Sequence, residues 1–180
     1  MRAPLARPVA AARLSQPATL NDMLLYRLSR LLSVAGAPVI RLCEGHYGIT
    51  RREWRILSLL SLQEGLLSSQ LAERGQLDRA RTSKAITSLV AKTLVLRRTL
   101  AGDRRQAALV LTDAGRALVR ELFPQVAGIN REVLSVLSAA DVAQLDATLQ
   151  RLQDHAEQLL ARAHDALPKA DRRRGQRGST

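Results

Sequence analysis

Residues 78–112 read DRARTSKAITSLVAKTLVLRRTLAGDRRQAALVLT, and the spacing of apolar side chains changes within this stretch. Asp78 is a helix-capping residue, and the apolar side chains after it recur every three or four positions, which predicts a helix over 79–92. Two β-prone runs, 94–100 and 106–112, then flank a loop that contains glycine. The stretch therefore predicts a helix followed by a β-hairpin.

Helical patterns precede the hairpin along most of the chain. Thr50 and Glu53 form a capping box at the start of one helix, and a short helix is expected over about 68–74, starting on a serine cap. Further toward the N-terminus, residues 20–43 have helical spacing that Gly36 and the proline after it should kink or split.

Two more helices are expected after the hairpin. Thr112 or Asp113 caps a helix that runs to about residue 135, and a last helix opens near Ser138. The last helix has the regular apolar spacing of a helix-pairing seam. In the helix before it, a second apolar set should need a partner surface: Leu118, Leu122, Val126, Ile129 and Val133.

Positive charge is concentrated in one part of the sequence. The chain of 180 residues has a formal net charge of +12, and residues 74–105 alone hold nine Lys or Arg against two acids, a net +7. Such clustering is typical of a surface that binds a polyanion. Residues 1–18 and 167–180 are also basic and are expected to be disordered tails.

Several other classes of protein are excluded by composition and spacing. The single cysteine, Cys43, cannot form an intramolecular disulfide, which is typical of the reducing cytoplasm. No apolar stretch approaches the roughly 20 residues that span a membrane. The histidines have no metal-ligand spacing, and neither a phosphate-binding glycine loop nor a nucleophile elbow is present. The sequence therefore predicts no enzyme, metal, cofactor or membrane partner.

A helix pair followed by a hairpin is the order of a winged helix-turn-helix, whose second helix enters the major groove of DNA. The sequence at this point resembles the MarR family of bacterial transcriptional regulators. The match rests on Asp78 and on a wing signature of an acid, any residue, an arginine and a threonine seven residues later. Asp103, Arg105 and Thr112 have that spacing. The family usually has glycine before the first wing strand, and Thr93 in this chain leaves the geometry of that turn open.

The resemblance implies a mainly α fold, in which a winged helix-turn-helix with a two-stranded β wing is flanked by long N- and C-terminal dimerisation helices. Residues 49–112 would be the DNA-binding domain, and residues 19–48 and 113–166 the helical dimerisation region. The implied function is sequence-specific regulation of transcription. A homodimer would bind double-stranded DNA at a pseudo-palindromic operator as a repressor.

Candidate DNA contacts follow from the resemblance. Arg81 and Lys84 match family positions that face the groove and are expected to read base edges. Arg105 is expected to enter the minor groove, with Asp103 fixing its direction. Phosphate contacts and further interface residues are expected at Arg79, Ser69, Gln70, Ser83, Ser88, Arg97, Arg98 and Arg104.

The resemblance also implies a pocket for a small aromatic acid between the dimerisation helices and the winged unit, where segment 41–54, RLCEGHYGITRREW, would lie. This segment is similar to regulators of hydroxylated aromatic-acid catabolism, including the NicR/BpsR-like group that responds to nicotinate derivatives. Ring and hydroxyl contacts, a carboxylate clamp and a pocket wall are expected from His46, Tyr47, Arg41, Arg51, Arg52 and Trp54. Alternatively, Tyr47 and Trp54 belong to the core and the arginines are solvated.

Three other functions remain open from the sequence. The charge also fits a nonspecific or architectural DNA-binding protein. Cys43 would allow a redox-sensing regulator, although a cysteine on an apolar face usually only packs. A winged-helix module that binds proteins is the third alternative, and the +7 stretch argues against it.

Overall fold

The computed structural model describes the backbone of residues 10–100 and 103–166, and the side chains of residues 13–99 and 107–162. The described helices are α1 (Ala10–Ser15), α2 (Leu24–Ala35), α3 (Ala37–Arg41), α4 (Arg51–Leu62), α5 (Ser68–Arg74), α6 (Arg79–Ala91), α7 (Asp113–Leu134) and α8 (Ala139–Ala166). A 3₁₀ turn lies at Leu20–Asp22 and a π-helical turn at Leu42–His46. Strands β1 (Val95–Leu100) and β2 (Asp103–Leu111) form an antiparallel sheet. The chain separates into one compact unit that ends at Val133 and a second that begins at Leu134.

The break expected in the N-terminal helical region is confirmed. Gly36 ends α2 and precedes α3, and Pro38 lies in the first turn of α3, where its missing N–H group is tolerated. The short helix α1 lies within the segment 1–18 that was expected to be disordered. Its sequence AAARLS begins with three alanines, the residue of highest helix propensity. Residues 1–9 and 167–180 of the expected tails lie outside the described residues.

The capping box that opens α4 is confirmed. Thr50 Oγ1 accepts a hydrogen bond from the backbone N–H of Glu53 at 3.2 Å, and Glu53 Oε2 accepts one from the N–H of Thr50 at 2.6 Å. Trp54, Leu57 and Leu60 are buried, so α4 presents one apolar face to the core. This helix supplies much of the surface on which the later elements pack.

The two helices of the helix-turn-helix begin in different ways. Asp78 caps α6 as predicted, since its Oδ1 accepts from the N–H of Arg81 at 2.9 Å. The serine cap predicted for α5 is wrong, because Ser68 is already helical and the N-cap is Leu67. The N–H of Leu67 donates to Gln70 Oε1 at 2.8 Å, so a side chain from within the helix satisfies this amide.

The predicted hairpin is confirmed, with a different boundary. β1 and β2 pair in register from Val95 with Leu111 to Thr99 with Ala107, and the register then shifts so that Leu100 pairs with Asp103. The backbone of residues 103–105 belongs to β2, so their assignment to the connecting loop is wrong. Strand pairing satisfies backbone N–H and C=O groups that a loop would leave to solvent.

Thr93 adopts the backbone conformation that a glycine would have at this position. Its φ is +57°, in the left-handed region. The N–H of Thr93 donates to the Val90 carbonyl, and that of Leu94 to the Leu89 carbonyl, both at 3.0 Å, which closes the end of α6. The chain therefore keeps the family's turn at the steric cost of a β-branched residue with positive φ.

Replacing Thr93 by glycine should stabilise the fold. We expect Thr93→Gly to raise the free energy of unfolding by about 0.5–1 kcal/mol, because it removes left-handed strain that exceeds the entropy cost of glycine. Urea denaturation measures the change. Thr99→Gly is the matched control on β1, and it should lower the free energy of unfolding. A destabilised Thr93→Gly variant would show that the turn is not strained.

The core of the first unit collects side chains from α4, α5, α6, both strands and α7. On α7, Val119 and Leu122 are buried, and Leu118 and Val126 pack against the same cluster. The expectation that this whole apolar set needs a partner surface is therefore wrong for Leu122, which the chain's own core buries, whereas Leu118 and Val126 are only partly covered. Val133 remains exposed.

Candidate nucleic-acid interface

Helix α6 has one buried and one exposed face. Thr82, Ile86 and Leu89 are buried against the core. Arg81 and Lys84 are exposed on the opposite side, together with Ser83, Thr87 and Arg79 near the same surface. The apolar stripe thus directs the cationic side chains predicted to contact DNA toward solvent.

A cleft of about 430 Å³ lies between α5, α6 and the two strands. It brings together three of the predicted phosphate-contact and interface residues, Ser69, Ser83 and Arg97, although they are distant in sequence. Ser68 also lines the cleft and was not predicted. The cleft thus offers hydroxyl groups and a guanidinium, which can donate hydrogen bonds to the oxygens of a DNA phosphate.

The two arginines of β1 have different surroundings. Arg97 Nη2 donates to Thr87 Oγ1 at 3.1 Å, which ties the wing to the exposed face of α6. Because consecutive residues of a strand point to opposite sides, Arg98 lies on the other face of the sheet. The two arginines are therefore not equivalent: Arg97 contacts α6, whereas Arg98 lies on the opposite face of the sheet.

Thr87 is a candidate interface residue that the sequence reasoning missed. It is exposed and follows Lys84 by three residues, so it lies on the same face of α6. Thr87 carries no charge, so the clustering of cations in the sequence did not indicate it. Helical spacing from Lys84 was the available signal.

Two of the residues predicted to contact DNA, Ser88 and Gln70, form side-chain hydrogen bonds within the protein. Ser88 is half-buried and its side chain hydrogen-bonds to Glu53, so it faces the interior and its assignment to the DNA surface is wrong. Gln70 uses its side-chain oxygen to cap α5, which leaves its NH₂ group as the donor for a phosphate.

Glu53 is a buried carboxylate that pairs with the end of α6. Its side chain is 2% exposed and pairs with Lys92 Nζ at 2.9 Å. Burial raises the pKa of Glu53, but hydrogen bonds from Ser88, Lys92 and the Thr50 amide outweigh it, so the pKa lies below its ordinary value of 4.5.

The lowered pKa of Glu53 predicts acid sensitivity. The ionised carboxylate stabilises the folded state above the unfolded pKa of about 4.5, and this contribution is lost as pH falls through the lower folded pKa. Urea unfolding from pH 7 to pH 3 should therefore show Glu53→Gln less stable than wild type at neutral pH, with a difference that shrinks below pH 4.5. Glu73→Gln, on the exposed side of α5, should show no such convergence. A constant difference for Glu53→Gln would contradict the assignment.

The wing residues of the family signature are only partly described. Asp103, Arg104 and Arg105 have backbone positions in β2, but their side chains lie outside the described residues, as does Gly102. The expected pairing of Asp103 with Arg105 and the minor-groove role of Arg105 stay predictions.

The residues expected to bind an effector do not form a single site. Arg41 and His46 line a cleft of about 580 Å³ together with Pro38, Leu42, Gly45, Gln125 and Ile129. Trp54 is 8% exposed and belongs to the core cluster, so its role as a pocket wall is wrong. Arg51 and Arg52 are half-buried and do not line this cleft.

Tyr47 connects the π-helical turn to α7. Its hydroxyl donates to Glu121 Oε1 at 2.9 Å and accepts from Gln125 Nε2. Its ring meets that of His46 edge to face, with centroids 4.8 Å apart. Burial and the hydrogen bond with Glu121 raise the pKa of Tyr47, so its hydroxyl is a neutral donor.

Known proteins match the part of the chain that carries this geometry. The sequence profile of the MarR family matches residues 47–106, from the end of the π-helical turn into β2. The HTH-type transcriptional regulator MhqR of Bacillus subtilis (strain 168) is 27% identical over 112 residues, which cover 62% of this chain and 77% of MhqR. The chain is thus similar to MarR regulators over the segment that runs from the π-helical turn into the wing.

Solved structures of MarR regulators share the fold. A MarR family transcriptional regulator from Silicibacter pomeroyi DSS-3 aligns with a TM-score of 0.67 at 27% identity, covering 77% of this chain and 98% of that one. A MarR/EmrR family regulator from Acinetobacter sp. ADP1 aligns with a TM-score of 0.71 at 21% identity, covering 78% and 99%. The chain therefore has the fold of these MarR regulators.

Cys43 is a poor candidate for a redox sensor. Its thiol is fully buried, and burial raises its pKa. Redox-active cysteines are accessible thiolates, and a buried protonated thiol reacts slowly. The structure thus favours packing as the role of Cys43.

No helix among the described residues is long and apolar enough to cross a membrane.

Proposed function

We propose that this protein is a homodimeric repressor that binds a pseudo-palindromic operator and is released by a small aromatic acid. The observation that carries the DNA half is the exposed face of α6, where Arg81 and Lys84 lie beside a donor-lined cleft. An α-helix fits the major groove of B-DNA, and arginine can pair with both acceptors of guanine.

In the proposed complex, Arg81 and Lys84 read base edges. Arg97 and the hydroxyls of Ser68, Ser69 and Ser83 bind backbone phosphates around the cleft, since phosphate contacts set register without reading sequence. The wing places Arg105 in the adjacent minor groove. Arg79, Arg98 and Arg104 add sequence-independent phosphate contacts that depend on salt concentration.

Exposed apolar faces support the homodimer. None of the residues of α2 is buried, and Leu25 and Val34 are 79% and 76% exposed. An apolar groove of about 490 Å³ runs between α2, α3 and α7. Taken by itself, α8 exposes an apolar series along its length: Leu145, Leu149, Leu152, Leu159 and Leu160. Such surfaces mark interfaces, so residues 19–48 and 113–166 form the proposed dimerisation region.

The effector half of the proposal rests on the cleft at Arg41 and His46. Its volume of about 580 Å³ suits a small molecule, and its wall combines apolar Leu42 and Ile129 with polar Gln125. The ring of an aromatic acid would pack on the apolar side, and its carboxylate would pair with Arg41. The narrower resemblance to NicR-like regulators stays a prediction.

One set of experiments tests each half separately. Operator sequences are selected from a randomised DNA library with the purified protein, and sedimentation gives the stoichiometry of the complex. Two protomers on an inverted repeat are expected, and a single protomer on an asymmetric site would contradict the dimer. Unselective binding would favour an architectural protein instead.

The effector is tested with hydroxybenzoates and hydroxynicotinates. They should raise the melting temperature and weaken operator binding, and Arg41→Met should abolish both effects. Arg55→Met is the matched control, because Arg55 is an exposed arginine of α4 that does not line the cleft. If neither class of acid changes melting temperature or DNA affinity, the effector half is wrong while the DNA half stands.

A further inference from the structure

The ion pair between Glu53 and Lys92 links α4 to the end of α6. Glu53 lies in the first turn of α4, and Lys92 is the residue at which α6 ends. Lys92 Nζ donates to both carboxylate oxygens of Glu53, at 2.9 Å and 3.1 Å. A buried carboxylate without such a partner would be strongly unfavourable, so the pairing stabilises the ionised form of Glu53 in the folded state.

A third acceptor makes the contact a junction of three segments. Lys92 Nζ also donates to the carbonyl of Gly48 at 2.8 Å. Gly48 follows the π-helical turn, so Lys92 holds the end of α6 against both this turn and the start of α4. An ammonium group has three hydrogens, and three acceptors lie within 3.1 Å of Nζ. Lys92 therefore has no donor left for a phosphate, although its side chain is 35% exposed.

The junction is an ion pair to the buried carboxylate of Glu53, unlike the apolar contacts that hold the core-facing side of α6. Along its length α6 packs through apolar side chains such as Ile86 and Leu89, and apolar contacts have little directional preference. Hydrogen bonds to a buried carboxylate are directional and strong. Ser88 adds a second bond from the last turn of α6 to the same carboxylate. The orientation of α6 about its own axis is thus set at its C-terminal end.

We propose that Glu53 and Lys92 are positioning residues for operator recognition, which fix the orientation of α6 without touching DNA. Without the pair, the orientation of α6 on its apolar contacts becomes variable. The side chains of its exposed face then form hydrogen bonds to base edges with poorer geometry. Phosphate contacts tolerate such a shift better than base contacts do. The inference requires only that α6 reads DNA, and it does not depend on the effector.

The test compares affinities for two duplexes, one selected from a randomised library by the wild-type protein and one scrambled version of equal length. Lys92→Met and Glu53→Gln should each lower the ratio of the two affinities by about tenfold or more, with little change for the scrambled duplex. The double variant should be no worse than Lys92→Met, because the two residues act as one unit. Arg116→Met removes the same charge from an exposed pair with Glu64 and should leave the ratio unchanged.

Two readouts separate positioning from other roles. A phosphate contact predicts that Lys92→Met weakens both duplexes equally and reduces the salt dependence of log K by about one unit, and this result would overturn the proposal. Circular dichroism at the assay temperature identifies variants that are unfolded. Glu53→Gln is the conservative variant expected to stay folded, and an unchanged ratio in folded Glu53→Gln would also overturn the proposal.

Discussion

Gly115→Ala is expected to lower the free energy of unfolding by about 2–3 kcal/mol, although alanine normally stabilises a helix. A Cβ atom at Gly115 would lie 2.1 Å from the carbonyl oxygen of Leu94, which is backbone and cannot move aside. The N–H of Gly115 also donates to Thr112 Oγ1 at 2.9 Å, and that hydroxyl donates to the carbonyl of Thr93 at 2.7 Å. The start of α7 therefore packs directly on the segment that leads into β1.

Gly128→Ala provides the matched control within α7. A Cβ atom there would have its nearest neighbour, Arg131 Nη2, at 3.8 Å, which is an ordinary contact. This variant should be stabilised by about 0.5–1 kcal/mol through helix propensity alone. Urea denaturation of both variants measures the two signs. A stabilised Gly115→Ala would mean that α7 does not approach Leu94 as closely as described.

Arg81→Ala and Lys84→Ala should each weaken binding to the selected operator by about 1–3 kcal/mol, because each removes a proposed base contact. Their affinity for scrambled DNA should fall much less. Arg98→Ala serves as the contrasting variant, since a phosphate contact should weaken both duplexes and reduce the salt slope by about one unit. Fluorescence anisotropy at several salt concentrations measures all three.

Two results for Arg81→Ala and Lys84→Ala would contradict the proposed base contacts. If Arg81→Ala and Lys84→Ala lower affinity equally for operator and scrambled DNA, these residues bind phosphate and do not read bases. If neither affinity changes, the exposed face of α6 is not the DNA-binding surface.

Local signals in the sequence predicted most of the fold. Asp78 and Thr50 bind backbone amides three residues ahead, and Thr112 does the same for Gly115, so their effects depend only on neighbouring residues. Gly36 splits the N-terminal helical region for an equally local reason. The wing signature added the resemblance to a known family, which the element order alone does not identify.

Side-chain partners distant in sequence were not predictable in this way. Glu53 and Lys92 are 39 residues apart, and neither the capping box nor the basic stretch indicates that they meet. Ser88 was assigned to DNA because its helix is cationic, yet its side chain hydrogen-bonds to Glu53. Trp54 was assigned to a pocket wall, whereas the face of α4 on which it lies packs into the core.

The cleft at Arg41 and His46 shows the same limit. Its outer wall comes from Gln125 and Ile129 on α7, which follow Arg41 by more than eighty positions in the printed sequence. The effector prediction for 41–54 was made from neighbouring residues alone, and it stays a prediction. Only the packing of α7 against the π-helical turn decides that Arg41 and His46 line the cleft and that Arg51 and Arg52 do not.

The ratio of affinities for a library-selected operator and a scrambled duplex, at physiological salt, tests the central claim most directly. The selected duplex should carry an inverted repeat with half-sites about one helical turn apart. If the proposed dimer reads bases through α6, it should prefer this duplex by on the order of 10³ or more. A preference of about tenfold or less, with the same steep salt dependence for both duplexes, would contradict the account and assign the positive charge to nonspecific binding.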